Sequence, residues 1–226
     1  MSNTRCVCMF SFTYFGYAAI LVNFEKHILF DPGIIDGVPL VDIEKVKASY
    51  VLVSQTPNEH FGNAVTFAND KGSILVGNNA VCDQARRNGI RGYAVVELDT
   101  HKPLEIGANI QIIGYNLSRG GFLAPKNTAF FVKSNQGSVL HLGHANEVGP
   151  LVDARPDLLC IAIAGKKRGT FLPEIAIDAT LAIHPRYAFP ISGSKTQTNQ
   201  FLNHLNDIET DIIPVPLTIN QSFTLV

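Results

Sequence analysis

The sequence predicts an α/β fold in which two β-sheets form the centre and helices cover their outer faces. Short runs of apolar and β-branched residues, such as 50–53 and 158–163, are typical of buried strands. Each of these runs is followed by a polar loop and then by the apolar spacing of a helix. Further strands occur next to these strand–loop–helix units, which favours two sheets with external helices, built as one domain over residues 1–226.

Alternating polarity and turn residues define the elements in chain order. Aromatic residues at positions 10, 12 and 14 alternate with polar ones, Glu25-Lys26 form a tight turn, and Asp31-Pro32 end the third strand. Gly89 closes one helix, and Pro173 lies near the start of another. The predicted strands are 5–14, 18–24, 27–30, 50–53, 73–76, 94–98, 103–106, 110–114, 129–133, 138–142, 158–163, 187–191, 212–215 and 222–225. The predicted helices are 39–48, 64–69, 79–88, 170–183 and 199–206.

Composition restricts the partners that we expect. Hydrophobic residues make up 46% of the 226 residues and charged residues only 16%, which indicates extensive burial and would allow a homo-oligomer. The net charge of −1 argues against nucleic acid and against an anionic membrane surface as partners.

The apolar stretch 6–24 is interrupted by polar residues and lacks a signal-cleavage pattern, so it predicts two strands with a bend near Gly16. The four cysteines form neither a disulfide framework nor a paired C-x-x-C module. A reducing, cytoplasmic location is therefore the expectation.

The most informative stretch is 50–64. It begins as a buried strand, breaks into a polar loop at Pro57-Asn58, and resumes helical spacing after Gly62. Glu59 and His60 therefore lie between a strand end and a helix start, where α/β proteins commonly carry their chemistry.

This layout resembles the metal-binding loop of the metallo-β-lactamase superfamily, in which a strand is followed by H-x-H-x-D-H and a glycine. The resemblance implies an αββα four-layer sandwich, with lactonase-like metal-dependent hydrolases as the nearest branch. Gln55 and Pro57 stand where the first two histidines belong, Glu59 replaces the aspartate, and only His60 is kept. Proline cannot bind a metal, and a glutamine carbonyl is a poor zinc ligand beside imidazole.

Other elements that resemble the superfamily also keep the surrounding pattern while other residue types replace the metal ligands. The Asp31-Pro32 pair follows the first hairpin as in the superfamily, and we interpret Asp31 as a turn residue whose carboxylate accepts from backbone amides. His144 stands in place of the bridging aspartate, and Ser192 in place of the final histidine. Tyr17 replaces the histidine of a Gly-His-Ser element found in the branch that resembles L-ascorbate-6-phosphate lactonases.

The remaining donors leave two interpretations open. Glu59, His60 and His144 could converge as a single-metal site, with zinc as the expected ion, since two imidazoles and a carboxylate form a catalytic zinc set. Glu59 and His60 would then be the catalytic residues. The alternative, which we favour, is a polar cleft with His60 and His144 hydrogen-bonded and no metal. We interpret His141, which alternates with leucines, as a core or supporting histidine.

One dense basic run, Lys166-Lys167-Arg168, follows a buried strand and precedes a helix. It could hold a phosphate or carboxylate together with Ser192, or it could be a solvated loop. The S-x-x-K spacing of Ser192 and Lys195 lacks the other motifs of serine acylases, and we attribute it to chance.

The sequence thus predicts a divergent member of the superfamily. It has lost most dizinc ligands and is non-catalytic or binds a small anionic molecule in the former active-site cleft. The alternative function is a single-metal hydrolase of an ester, lactone or phosphoester.

Overall fold

Two seven-stranded sheets form the centre of the molecule. The structure is a computed structural model that describes residues 10–117, 126–165 and 169–226. Its strands are β1 Phe10–Gly16, β2 Ala19–Asn23, β3 His27–Phe30, β4 Ile34–Ile35, β5 Val38–Pro39, β6 Tyr50–Val53, β7 Ile74–Gly77, β8 Val95–Glu97, β9 Leu104–Ile106, β10 Ile110–Leu117, β11 Asn127–Ser134, β12 Gly137–His141, β13 Leu158–Ala162, β14 Tyr187–Ile191, β15 Ile213–Pro214 and β16 Gln221–Leu225. Its helices are α1 Asn58–Phe61, α2 Ala64–Asp70, α3 Asn79–Arg87, α4 Pro173–Ile183 and α5 Lys195–Asp207.

The strand orders place the parallel strands together. The first sheet runs β16-β1-β2-β3-β6-β7-β8 and the second runs β15-β14-β13-β12-β11-β10-β9. Strands β3, β6 and β7 are parallel neighbours in the first sheet, and β12, β13 and β14 are parallel neighbours in the second. Because the carboxyl ends of parallel strands meet at one edge of a sheet, the loops that follow these strands are brought together.

Three apolar clusters account for the layering. One lies between the sheets and contains Phe12, Phe30 and Phe189. A second joins the outer face of the first sheet to α2 and α3, and a third joins the outer face of the second sheet to α4 and α5. Each sheet is therefore buried on both faces, which explains the all-apolar strand runs. The predicted αββα sandwich is confirmed.

The prediction of a helix over 39–48 is wrong. Strand β5 ends at Pro39, and the chain then forms a turn in which the Asp42 carboxylate accepts the N–H of Glu44 at 3.0 Å. A short polar side chain that takes a backbone amide competes with helical pairing. Val41 and Val46 are still buried, so the apolar spacing is satisfied by a turn.

Helix α5 begins earlier than predicted, at Lys195 rather than residue 199. Ser194 and Gln197 form a capping box, in which each side chain bonds the other residue's backbone N–H. Residues 5–9 of the first predicted strand lie outside the described residues. Among the helices that the structure describes, none is both long enough and apolar enough to cross a bilayer.

A close backbone approach fixes α1 against the end of β3. A Cβ atom at Gly33 would overlap the carbonyl group of Glu59, the residue before His60. Glycine at position 33 therefore allows the loop after β3 to lie directly on α1.

We predict that Gly33→Ala lowers the free energy of unfolding by about 1–3 kcal/mol or more, because either the loop or α1 must shift. Urea unfolding measures the change. Gly92→Ala is the matched control, since a Cβ there meets nothing within 4 Å. Equal urea midpoints for the two variants would contradict this close contact.

Candidate ligand site at the carboxyl ends of the strands

Two imidazole rings lie side by side where the parallel strands end. His60 lies in α1 after β6, and His144 lies in the loop after β12. Their ring centroids are 4.4 Å apart with the rings at 89°, and both side chains are 0% exposed. From the sequence we expected His60 and His144 to lie at one site, and in the structure their rings are in contact.

Asp31 is the buried charge of the site. Its carboxylate accepts from the Ser54 N–H and the Ser54 hydroxyl, both at 2.7 Å, and from His60 Nδ1 at 2.8 Å. Burial opposes ionisation, but the neighbouring His60 and the hydrogen bonds from His60 and Ser54 hold the pKa of Asp31 below its usual value. Asp31 is therefore a carboxylate, and His60 donates its Nδ1 proton to it.

The other nitrogen of His60 faces an amide whose orientation is fixed from the backbone. Asn127 donates its side-chain N–H to the Leu142 carbonyl at 3.0 Å, and its Oδ1 accepts the His144 N–H at 2.9 Å. Because Oδ1 of Asn127 is an acceptor, the Gln55 atom 3.1 Å away must be its NH₂ group.

That same NH₂ group of Gln55 lies 3.4 Å from His60 Nε2. An amide nitrogen cannot accept a hydrogen bond, so His60 Nε2 is the acceptor of this contact and His60 Nδ1 is the donor to Asp31. Both ring nitrogens of His60 are therefore engaged with protein groups.

His144 is paired with the residue that replaces the final histidine of the superfamily pattern. Its Nε2 lies 3.0 Å from the Ser192 hydroxyl. Ser192 follows β14, has φ of 61°, and donates its N–H to the Tyr17 carbonyl at 2.9 Å. This bond joins the turn after β1 to the end of β14.

Tyr17 lies against both histidines. Its ring centroid is 5.4 Å from that of His60 and 5.0 Å from that of His144. A half-buried tyrosine therefore contributes to the complete burial of the two imidazoles.

His141 supports the site from the core. Its Nδ1 accepts the Gly143 N–H at 3.2 Å, so its proton is on Nε2, which donates to the Ala18 carbonyl at 3.0 Å. The ring stacks on Phe30 at 4.9 Å. Burial lowers the pKa of His141, despite the nearby Asp31 charge. The interpretation as a supporting histidine agrees with these contacts.

The remaining predicted site residues are less defined. Glu59 is half-buried in α1. Within residues 10–117, 126–165 and 169–226, no three His, Cys, Asp or Glu side chains are arranged to hold a metal ion, and the set Glu59, His60 and His144 stays a prediction. Lys166, Lys167 and Arg168 lie outside the described residues.

Sequence reasoning missed the residues that organise the histidines, namely Ser54, Asn127 and Gln55 in its role as a donor. Asp31 accepts a backbone N–H as expected, but it also binds His60 across 29 positions of the chain. A buried strand end followed by polar residues is a signal for Ser54 and Gln55, whereas no local pattern identifies Asn127.

The donor arrangement does not fit the metal centre that the resemblance implies. In the described structure, the lone pair of His60 Nε2 receives the Gln55 amide, and His144 Nε2 is paired with Ser192. A metal bound through Nε2 of His60 and Nε2 of His144 would need these same nitrogen lone pairs.

We predict that Asp31→Asn lowers the free energy of unfolding by about 1–3 kcal/mol, since an amide cannot accept from Ser54 and His60 with both of its polar atoms. Chemical denaturation measures the loss. Asp42→Asn is the control, because the Asp42 carboxylate has exposed partners, the Lys45 ammonium and the Glu44 N–H, and an asparagine oxygen can still accept that N–H, so its midpoint should hardly change. A similar small shift for Asp31→Asn would refute the central role of its carboxylate.

We predict that the protein loses stability as the pH falls below 6.5, the ordinary pKa of histidine. The unfolded chain takes up a proton at His141 there while the folded chain, with its lowered pKa, does not. The loss amounts to about 1.4 kcal/mol for each unit between the two pKa values.

Thermal melts of wild type and His141→Asn between pH 7 and pH 5 measure this effect. The variant should be less stable than wild type at pH 7, and its melting temperature should fall less than that of wild type between pH 7 and pH 5. Parallel pH profiles would show that His141 is not held neutral.

Comparison of the sequence with known proteins identifies the family of this chain. A family model described as a β-lactamase superfamily domain matches residues 11–192. A UPF0173 metal-dependent hydrolase from Staphylothermus marinus is 32% identical over 195 residues, which cover 79% of this chain and 81% of that protein. A protein of the same name from Heliobacterium modesticaldum is 24% identical over 199 residues, covering 81% and 82%.

Solved structures agree in fold. A novel metallo hydrolase from Ignicoccus hospitalis superposes with a TM-score of 0.82 at 16% identity, covering 96% of this chain and 98% of that one. The metallo-β-lactamase fold protein YhfI from Bacillus subtilis has a TM-score of 0.74 at 12% identity, covering 96% and 99%. The chain therefore belongs to the β-lactamase superfamily and, through its Staphylothermus relative, to the family named UPF0173 metal-dependent hydrolases.

Proposed function

We propose that this chain binds a small anionic molecule at the cleft beside Ser192, and that its histidines act there through hydrogen bonds instead of as a metal centre. The observation that carries the proposal is the contact between the Gln55 side-chain NH₂ group and His60 Nε2, which are 3.4 Å apart. The orientation of the Gln55 amide follows from that of Asn127, whose side chain is fixed by the Leu142 carbonyl and the His144 N–H. A rigid and satisfied polar network of this kind is pre-organised for a ligand.

The proposed source of positive charge for an anion is the basic run 166–168. The Ile163 N–H donates to the Ile191 carbonyl at 3.1 Å, so the chain leaves β13 beside the start of the Ser192 turn. Lys166, Lys167 and Arg168 follow three to five residues later in the sequence. Three cations this soon after that point in the sequence, together with a hydroxyl group and the amino end of α5, would favour a phosphate or carboxylate.

The second candidate is a single-metal hydrolase of an ester, lactone or phosphoester at Glu59, His60 and His144, with zinc as the expected divalent ion. It is favoured by the name of the relatives, metal-dependent hydrolases, and by the contact of the two imidazoles. Metal binding through Nε2 of both histidines requires the contacts with Gln55 and Ser192 to open.

Metal analysis together with phosphate binding separates the two functions. Protein purified without chelator should contain no stoichiometric zinc, iron or manganese. Inorganic phosphate at about 100 times its Kd should stabilise the fold by about 2.7 kcal/mol. Replacing Lys166, Lys167 and Arg168 by alanine should remove this effect, whereas Lys45→Ala, at an exposed site, should not.

Stoichiometric metal that is lost in His144→Ala would overturn the proposal in favour of the single-metal hydrolase. Equal phosphate stabilisation in the triple variant and in Lys45→Ala would show that the basic loop is a solvated surface.

A further inference from the structure

We infer that Ser192 and His144 form a nucleophile–base pair, and that the ligand of the cleft is a carboxylic ester that carries a separate anionic group and whose acyl group Ser192 accepts. This inference rests on the proposed function and adds to it a substrate class and a covalent step. The observation behind it is the 3.0 Å separation of the Ser192 hydroxyl and His144 Nε2. A hydroxyl within hydrogen-bond reach of an imidazole is the arrangement that activates a serine.

The backbone presents Ser192 as a nucleophile on a sharp turn. Ser192 immediately follows β14 and is separated from the first residue of α5 by Gly193 and Ser194. Its φ of 61° is a left-handed conformation, which is costly for a residue with a Cβ atom. The turn is tight, because a Cβ at Gly193 would meet the Ile163 side chain at 2.6 Å. Such a strained strand–turn–helix element raises a serine hydroxyl above the sheet end.

The base is held in a defined position. The His144 N–H is bound to Asn127 Oδ1 at 2.9 Å, and the ring is enclosed by His60 and Tyr17. His144 is fully buried, whereas Ser192 keeps 9% of its surface exposed. Ser192 is therefore the less buried member of the pair.

Other serines and bases fit this role less well. Ser54 also approaches a histidine, His60, but it is fully buried and donates its hydroxyl to Asp31. Lys195, the cation of the S-x-x-K spacing, is exposed to solvent. His144 is thus the base that the geometry supports.

The step balances with an ester and water alone. As Ser192 Oγ bonds to the acyl carbon, its proton passes to His144 Nε2. The ester C–O bond then breaks, and the leaving alkoxide takes that proton to become an alcohol. Water attacks the acyl-serine next, gives its proton to His144, and releases the acid as Ser192 recovers its hydrogen. The positive end of α5 favours the oxyanion of both steps.

A fluorophosphonate probe tests the pair directly in the full-length protein, with a chelator present throughout. Attack by Ser192 forms a phosphorus–oxygen bond, expels fluoride and leaves the proton on His144. We expect labelling at Ser192, located by peptide mass, and none in Ser192→Ala. In His144→Gln, labelling should slow by about 100-fold, because an amide cannot take the proton.

Ser192→Gly gives a second variant without the hydroxyl, and glycine accepts a φ of 61° without strain. It keeps the test valid if Ser192→Ala fails to fold. Ser222→Ala, an exposed serine on β16, is the control and should label like wild type.

The outcomes distinguish this inference from the function on which it rests. Phosphate stabilisation without labelling of Ser192 would overturn the inference and leave ligand binding intact. Labelling without phosphate stabilisation would support the reactive pair and refute the anionic site. Labelling that occurs only in a parallel sample without chelator, or that persists in Ser192→Gly, would overturn the inference.

Discussion

The buried hydrogen bond between Asp31 and His60 is the constraint on which the arrangement of the two contacting histidines depends. A carboxylate without solvent is costly unless it is fully paired, and Asp31 is paired by His60 and by two donors of Ser54. These bonds tie the end of β3 to the loop after β6 and to α1. The close backbone approach of Gly33 to Glu59 holds the same loop after β3 against α1, so packing and hydrogen bonding stabilise one contact between these elements.

From this junction, hydrogen bonds of fixed direction extend to the second sheet. Gln55 links His60 to Asn127, and Asn127 is held by backbone groups of Leu142 and His144. The direction of each bond follows from groups that can only donate or only accept. His60 and His141 consequently carry their protons on opposite nitrogens. These hydrogen bonds hold both imidazoles in one orientation through groups of the protein itself.

The sequence predicts the layers better than it predicts the site. Strands buried on both faces are apolar throughout, so β13 and β14 are recognisable from composition alone. The segment 39–48 fails because Asp42 captures a backbone amide, a local competition that apolar spacing does not record. His60 and His144 are found because they follow strand ends. Asn127 and the strained Ser192 are found only in three dimensions, since their roles depend on contacts far along the chain.

The central claim is that His60 Nε2 accepts the Gln55 amide and is unavailable to a metal. Two-bond ¹H–¹⁵N correlation spectra of the histidine rings, recorded at neutral pH before and after addition of zinc, test it most directly. The account predicts that His60 carries its proton on Nδ1 and that His141 carries its proton on Nε2. It also predicts that the chemical shifts of the His60 ring nitrogens do not change when zinc is added. A His60 Nε2 resonance that moves to a metal-bound position with one equivalent of zinc would contradict it.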